Sequence, residues 1–178
     1  MNLANKLTVF RLVLVPFYLV FMLFDFTAYN RYIALGIFII ATITDKLDGS
    51  IARKYNMITS FGKFMDPIAD KLLVCSALVC LTSLDEIPAW VVITIIAREF
   101  LISGIRIIAA EGGVAIAASW WGKTKTIAQM VMTIVIIADI DALFIVEQIL
   151  IYLSLLLTVI SAADYLIKNK NVLTFKDK

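Results

Sequence analysis

The sequence predicts an all-α fold: an integral membrane bundle of six transmembrane helices with both termini in the cytoplasm. Hydrophobic residues fill 62% of the 178 positions, and mean hydropathy is +0.96. Such a composition excludes an ordinary soluble domain. The apolar runs leave room for about six spans of roughly 20 residues each. Charge supplies the orientation. The segments around Asp25, Asp85–Glu86 and Asp139–Glu147 are acidic, with Arg31 as their lone base. Lys6, Arg53, Lys54, Lys63, Arg106, Lys123, Lys125, Lys168, Lys170, Lys176 and Lys178 fall on the opposite side. Positive-inside bias sets that side in the cytoplasm, where it also suits anionic headgroups.

In chain order the predicted helices run about 7–24, 31–54, 61–83, 88–110, 121–138 and 144–167. The first is apolar except for Arg11 and Pro16, and no small-residue cleavage pattern marks it as a signal peptide. The second and third are cut short as apolar runs by acids. The fourth carries Arg98, Glu99 and Arg106, and the fifth opens on Lys123 and Lys125. Trp90, Trp120 and Trp121 near helix ends read as interfacial belt residues. Cys75 and Cys80 read as small buried hydrophobes. No linker or repeat divides the chain, so residues 1–178 are expected to form one domain.

The chemistry is expected at four carboxylates in apolar sequence. Asp45 and Asp48 stand three residues apart, Asp66 and Asp70 four, so each pair shares one helix face. Ionisable side chains in spanning helices usually mark a site for ions, protons or substrate. At 1.5 Å per residue, Asp45 and Asp70 both lie roughly 20 Å from the outer ends of their helices. Asp48 and Asp66 both lie at about 24–26 Å. If the helices run antiparallel, the two pairs meet in the cytoplasmic third of the membrane. Two such faces offer hard oxygen ligands suited to Mg²⁺ or Mn²⁺. Gly49, Ala52 and Gly62 each stand four residues from an acid and leave room beside the carboxylates, although small residues also serve close helix packing. Pro67 removes one backbone bond from the third helix and is expected to bend it. Lys46 and Lys71 flank the acids, either to contact phosphate or to balance charge. The chain has no histidine, so proton abstraction falls to a carboxylate, a lysine or metal-bound water.

The string Asp45-x2-Asp48-Gly49-x2-Ala52-Arg53-x8-Gly62-x3-Asp66-x3-Asp70 resembles, at every fixed position, the signature of the CDP-alcohol phosphotransferases. The resemblance extends to chain length and the six-helix plan. It implies transfer of a phosphatidyl group from CDP-diacylglycerol, or a related CDP-alcohol, to a hydroxyl acceptor with release of CMP. It also implies two divalent metals held by Asp45, Asp48, Asp66 and Asp70, with Asp70 as base, and a homodimer in the cell membrane. The donor is then expected against Asp48, Gly49, Ala52, Arg53 and Gly62.

Two further segments carry the resemblance. Ala97-Arg98-Glu99 with Arg106, and Gly122-Lys123-Thr124-Lys125-Thr126, are similar to patterns in bacterial phosphatidylglycerophosphate synthases. Arg98, Arg106, Lys123 and Lys125 are therefore expected to grip the dianionic phosphate of sn-glycerol 3-phosphate, arginine bidentately. Positive-inside anchoring is the alternative for Lys125, and an internal ion pair with Glu99 the alternative for Arg98. Asn5-x2-Thr8-x2-Arg11 is similar to the opening of the same synthases and shares a broad helix face. Asn5 and Thr8 would help hold the nucleotide, unless Thr8 is a helix cap and Arg11 snorkels to the interface. Inositol phosphate or serine remains an alternative acceptor. A divalent-cation transporter is the competing class; it would need intramembrane carboxylates but no basic pocket. A membrane prenyltransferase would share acid-held Mg²⁺, but its aspartate spacing is not recognised here. No feature points to nucleic acid.

Overall fold

The computed structural model describes the backbone of residues 3–54, 60–111, 116 and 119–170; the side chains of residues 3–4, 46–54, 60–64, 66, 67, 70 and 111 lie outside that description. All regular structure among these residues is helical: α1 Leu3–Leu23, α2 Asn30–Lys54, α3 Ser60–Ser83, α4 Ala89–Glu111, α5 Trp120–Ala138 and α6 Phe144–Lys168, with a 3-10 turn at Asp141–Leu143 before α6. Apart from the earlier start of α1, the helix ends fall within a residue of those the apolar pattern predicts.

Of the described residues, two stretches are long and apolar enough to cross a membrane on composition alone, Asn5–Leu23 and Asp141–Lys168. Ionisable residues punctuate the other four helices, and among the described residues Lys71–Ser83 of α3 is a shorter apolar stretch. Arg31, Asp45 and Asp48 interrupt α2, Asp66 and Asp70 the start of α3, Arg98, Glu99 and Arg106 α4, and Lys123 and Lys125 α5. Six helices are observed where six spans were expected, and each interrupted helix must pair or bury its charges to enter a bilayer.

The chain forms two compact units, one of Met1–Glu86 with Thr133–Ile140 and one of Ile87–Met132 with Asp141–Lys178. In the first, α1 packs on α2 and on α3, and α2 packs on α3. Asn5, Thr8, Arg11, Val15, Tyr18 and Met22 are buried at three- and four-residue intervals along α1, while Phe10, Val13, Phe17 and Val20 are exposed on its other side. That division suits a helix with one face on protein and one on hydrocarbon. The Tyr18 ring meets Phe38 of α2 at 6.1 Å between centroids.

Side chains build the turns. Asn30 accepts from the Thr27 amide at 3.1 Å and donates to the Phe24 carbonyl at 2.6 Å, closing the α1–α2 connection. At the end of α3, the Asp85 amide donates to the Thr82 carbonyl and the Glu86 amide to the Leu81 carbonyl. Asp85 sits at φ 60°. Bonds of that reach around a left-handed residue form a Schellman cap, which satisfies carbonyls the helix leaves open.

Arg31 ties this end of the unit together. Its guanidinium holds Glu86 by two bonds, at 2.6 and 2.9 Å. It also donates to the Ile136 carbonyl at 2.9 Å and the Ile137 carbonyl at 3.3 Å, and it lies 3.1 Å from Asp139. One side chain at the start of α2 thus braces the end of α3 and the end of α5.

In the second unit α4 packs on α6. Ile102, Ile105 and Tyr165 form its buried cluster, with Ile116 and Leu166 against it. Ile151, Ser154, Thr158, Ser161 and Tyr165 make the buried stripe of α6. The Thr158 and Ser161 hydroxyls donate back to carbonyls of their own helix, so small polar residues line the stripe at little cost and let helices approach closely.

Replacing Arg31 with methionine keeps the stem but removes every one of these bonds. A charge-assisted bond is worth about 1.5–3 kcal/mol, and about 1 kcal/mol moves the midpoint by roughly 2–4 °C at this chain length. Arg31→Met should therefore lower the thermal midpoint in detergent by about 4–10 °C, measured by tryptophan fluorescence. An unchanged midpoint would mean the brace contributes nothing.

Candidate active site

The motif aspartates stand where α2 ends and α3 begins. Asp45 and Asp48 lie in the last turns of α2, Asp66 and Asp70 in the first turns of α3, and residues 55–59 connect the two helices. Chain continuity alone keeps all four within eleven residues of that connection. Asp48, Gly49, Ala52 and Arg53 fall on α2 and Gly62, Asp66, Pro67 and Asp70 on α3, but the side-chain positions expected of them lie outside the described residues.

Asp45 is described, and its surroundings are specific. The Arg11 guanidinium of α1 reaches its carboxylate at 2.7 Å, and Arg11 is fully buried. The preceding residue, Thr44, donates its hydroxyl to the Ile40 carbonyl of its own helix at 2.6 Å. Two alternatives for the amino terminus are thereby corrected. Arg11 does not snorkel, because it has a carboxylate partner inside the unit. Thr8 is not a cap, because it lies inside α1, fully buried. Asn5, also buried, shares their face. From sequence Arg11 reads equally as facing the nucleotide or snorkelling; its pairing with Asp45 on another helix gives no local signal.

No group of three or more metal-binding side chains is found among the described residues. The chemistry of the donor set still fits a divalent cation, because Asp45 and the three motif aspartates on the adjoining turns are hard oxygen ligands. A groove of about 440 Å³ in the same unit lies between α1 and α3, lined by Leu19, Leu23, Cys75, Val79 and Cys80 among others. Its apolar walls suit hydrocarbon, not a pyrophosphate.

The basic residues are sorted by environment within the second unit. Lys125 is buried, at 1% exposure, and its ammonium pairs with Oε1 of Glu99. Nη1 of Arg98 reaches that same oxygen at 3.1 Å. The Arg98–Glu99 pair is therefore present, and it includes Lys125. A buried, paired ammonium is not an interfacial anchor, so that reading of Lys125 is corrected. Ser119 caps α5, its hydroxyl accepting from the Gly122 amide at 3.1 Å. A Cβ on Gly122 would lie 3.6 Å from Nη2 of Arg98, an ordinary contact, so the first turn of α5 runs close beside the guanidinium. Lys123 and Arg106 are exposed. Arg106 lies over the Tyr165 ring of α6, 5.7 Å from its centroid. Sequence reasoning passed over Tyr165, because one tyrosine in an apolar helix gives no periodic signal.

Comparison with known proteins places these features in context. The chain matches the sequence profile of the CDP-alcohol phosphatidyltransferases over residues 1–160. It is 39% identical to the CDP-diacylglycerol–glycerol-3-phosphate 3-phosphatidyltransferase of Bacillus subtilis (strain 168), covering 94% of this chain and 95% of that protein. It is 38% identical to the protein of the same name from Rickettsia bellii (strain RML369-C), over 92% and 93% of the two chains. A probable phosphatidylglycerophosphate synthase of Mycobacterium tuberculosis (strain ATCC 25618 / H37Rv) is 41% identical over 92% of this chain and 79% of its own. Across nearly its whole length, this chain belongs to the CDP-alcohol phosphatidyltransferase family.

Proposed function

We propose that this protein transfers the phosphatidyl group of CDP-diacylglycerol to sn-glycerol 3-phosphate, giving phosphatidylglycerophosphate and CMP. The observation that carries the reading is the near-complete coverage, at about 40% identity, by relatives named for this reaction. The unbroken Asp45–Asp70 motif on two packed helices supports it.

In the reaction a free hydroxyl of glycerol 3-phosphate attacks the phosphorus next to the lipid alcohol. The new P–O bond forms as the bond to CMP breaks, and the hydroxyl proton passes to the Asp70 carboxylate. Asp45, Asp48, Asp66 and Asp70 would hold two divalent ions, Mg²⁺ or Mn²⁺, whose four positive charges the four carboxylates balance. Such ions, when bound, neutralise charge on attacking and leaving oxygens. Asn5, Thr8, Asp48, Gly49, Ala52, Arg53 and Gly62 would hold the CDP-diacylglycerol. Arg98, Arg106, Lys123 and Lys125 would hold the acceptor phosphate, with Glu99 keeping Arg98 and Lys125 together.

The reading assigns residues 1–178 to one catalytic domain of a multi-pass membrane protein. Six spans, cytoplasmic termini and a cytoplasm-facing site are proposed from the charge asymmetry. A homodimer is proposed from the family resemblance.

The deciding experiment is an acceptor panel: purified protein, CDP-diacylglycerol and Mg²⁺, read as CMP release and lipid product. Glycerol 3-phosphate should be used and plain glycerol or myo-inositol should not. Preference for inositol phosphate would leave the family intact and remove this acceptor. Chelation should abolish turnover. Each Asp→Asn change at 45, 48, 66 or 70 should lower the rate by orders of magnitude in protein that still inserts, and near-normal turnover in Asp66→Asn would defeat the two-metal scheme. Truncating Arg106 or Lys123 should raise KM for glycerol 3-phosphate about tenfold to a hundredfold and leave KM for the nucleotide lipid little changed. The reverse pattern would assign these cations to the donor.

A further inference from the structure

We propose that Tyr165 is a positioning residue for the acceptor phosphate, its ring serving as a neutral shelf that holds the Arg106 guanidinium without occupying its N–H donors. The inference rests on the acceptor reading above and adds a residue that reading does not contain.

The four candidate cations are not equivalent. Arg98 and Lys125 share one carboxylate oxygen of Glu99, so part of their charge and some of their donors are committed within the protein. Arg106 lies instead over an aromatic face, with Cζ 5.7 Å from the Tyr165 centroid. A ring attracts a cation through its quadrupole and takes up no hydrogen-bond donor. The planar fork then keeps its full charge and its bidentate edge for a phosphate.

The shelf itself is fixed. Tyr165 is 2% exposed and packs with Ile102 and Ile105 of α4, backed by Ile116 and Leu166. Ile102 and Ile105 precede Arg106 on the same helix, by one turn and by one residue, so the ring and the arginine are referred to the same backbone. Below the ring the backbone is tied as well. The Tyr165 carbonyl accepts from the Asn169 amide at 3.1 Å and from its side chain at 2.8 Å, where α6 ends. The Tyr165 hydroxyl is buried and has no hydrogen-bond partner among the described residues. The ring, not the hydroxyl, is therefore the working part, and phenylalanine should serve in its place.

The experiment compares Tyr165→Leu, Tyr165→Phe and Arg106→Ala in full-length protein, with KM measured separately for glycerol 3-phosphate and CDP-diacylglycerol and with the thermal midpoint recorded. Tyr165→Leu should raise the acceptor KM about twofold to fivefold, the scale of a cation–π contact at an exposed cation, while the donor KM stays unchanged. Tyr165→Phe should match the wild type. On the Arg106→Ala background, Tyr165→Leu should have no further effect on the acceptor KM, because the residue it positions is gone. If Tyr165→Leu does not fold, Tyr165→Met takes its place in the same cycle. An unchanged acceptor KM in Tyr165→Leu, a Phe variant as impaired as the Leu variant, or additive effects in the double variant would each overturn the shelf while leaving the acceptor site standing. An unchanged acceptor KM in Arg106→Ala would overturn the acceptor site itself.

Discussion

The first unit depends on a buried guanidinium. Arg11 has no exposed surface, and its carboxylate partner is the first aspartate of the motif. Asp45 keeps 32% of its side-chain surface exposed and Arg11 keeps none, so the guanidinium carries most of the pair's desolvation cost. The pair therefore restricts how α1 rests against α2, and with it the face of α1 that turns inward. Asn5 and Thr8 are buried with Arg11, and the three residues occupy one stripe of the same helix. The helix proposed to help hold the nucleotide is thus registered against the residue proposed to help hold the metal.

A second cation performs a different task at the opposite ends of the helices. Arg31 is half-exposed and distributes its bonds over Glu86, Asp139 and two carbonyls of α5. Its work is mechanical, joining helix ends, whereas the Arg11 pair lies within the motif. Both cases follow one rule: in an apolar chain every charge needs an account, and the account is structural or chemical according to whether the partner belongs to the motif.

Six helices were legible because long apolar runs and their polar punctuation are local features of the sequence. The aspartates were legible because their cost is visible wherever they stand. Partnerships between distant positions were not. Arg11 and Asp45 lie on different helices, and nothing in their spacing names the contact; the same holds for Arg106 and Tyr165. Lys125 was ambiguous for another reason, since composition cannot separate a lysine at an interface from one folded onto a glutamate. That all six helices span belongs to the proposed reading, in which the helices carrying Arg98, Glu99 and Asp66 cross as well.

The shared oxygen of Glu99 also affects how variation at this locus reads. Two cations share one acceptor oxygen, so removing either leaves that oxygen to the survivor. The loss is buffered, and each position taken singly looks more dispensable than the couple. A survey of single substitutions, or a tally of natural variants, would undercount both residues and overcount Glu99, whose removal takes a shared partner from two cations at once.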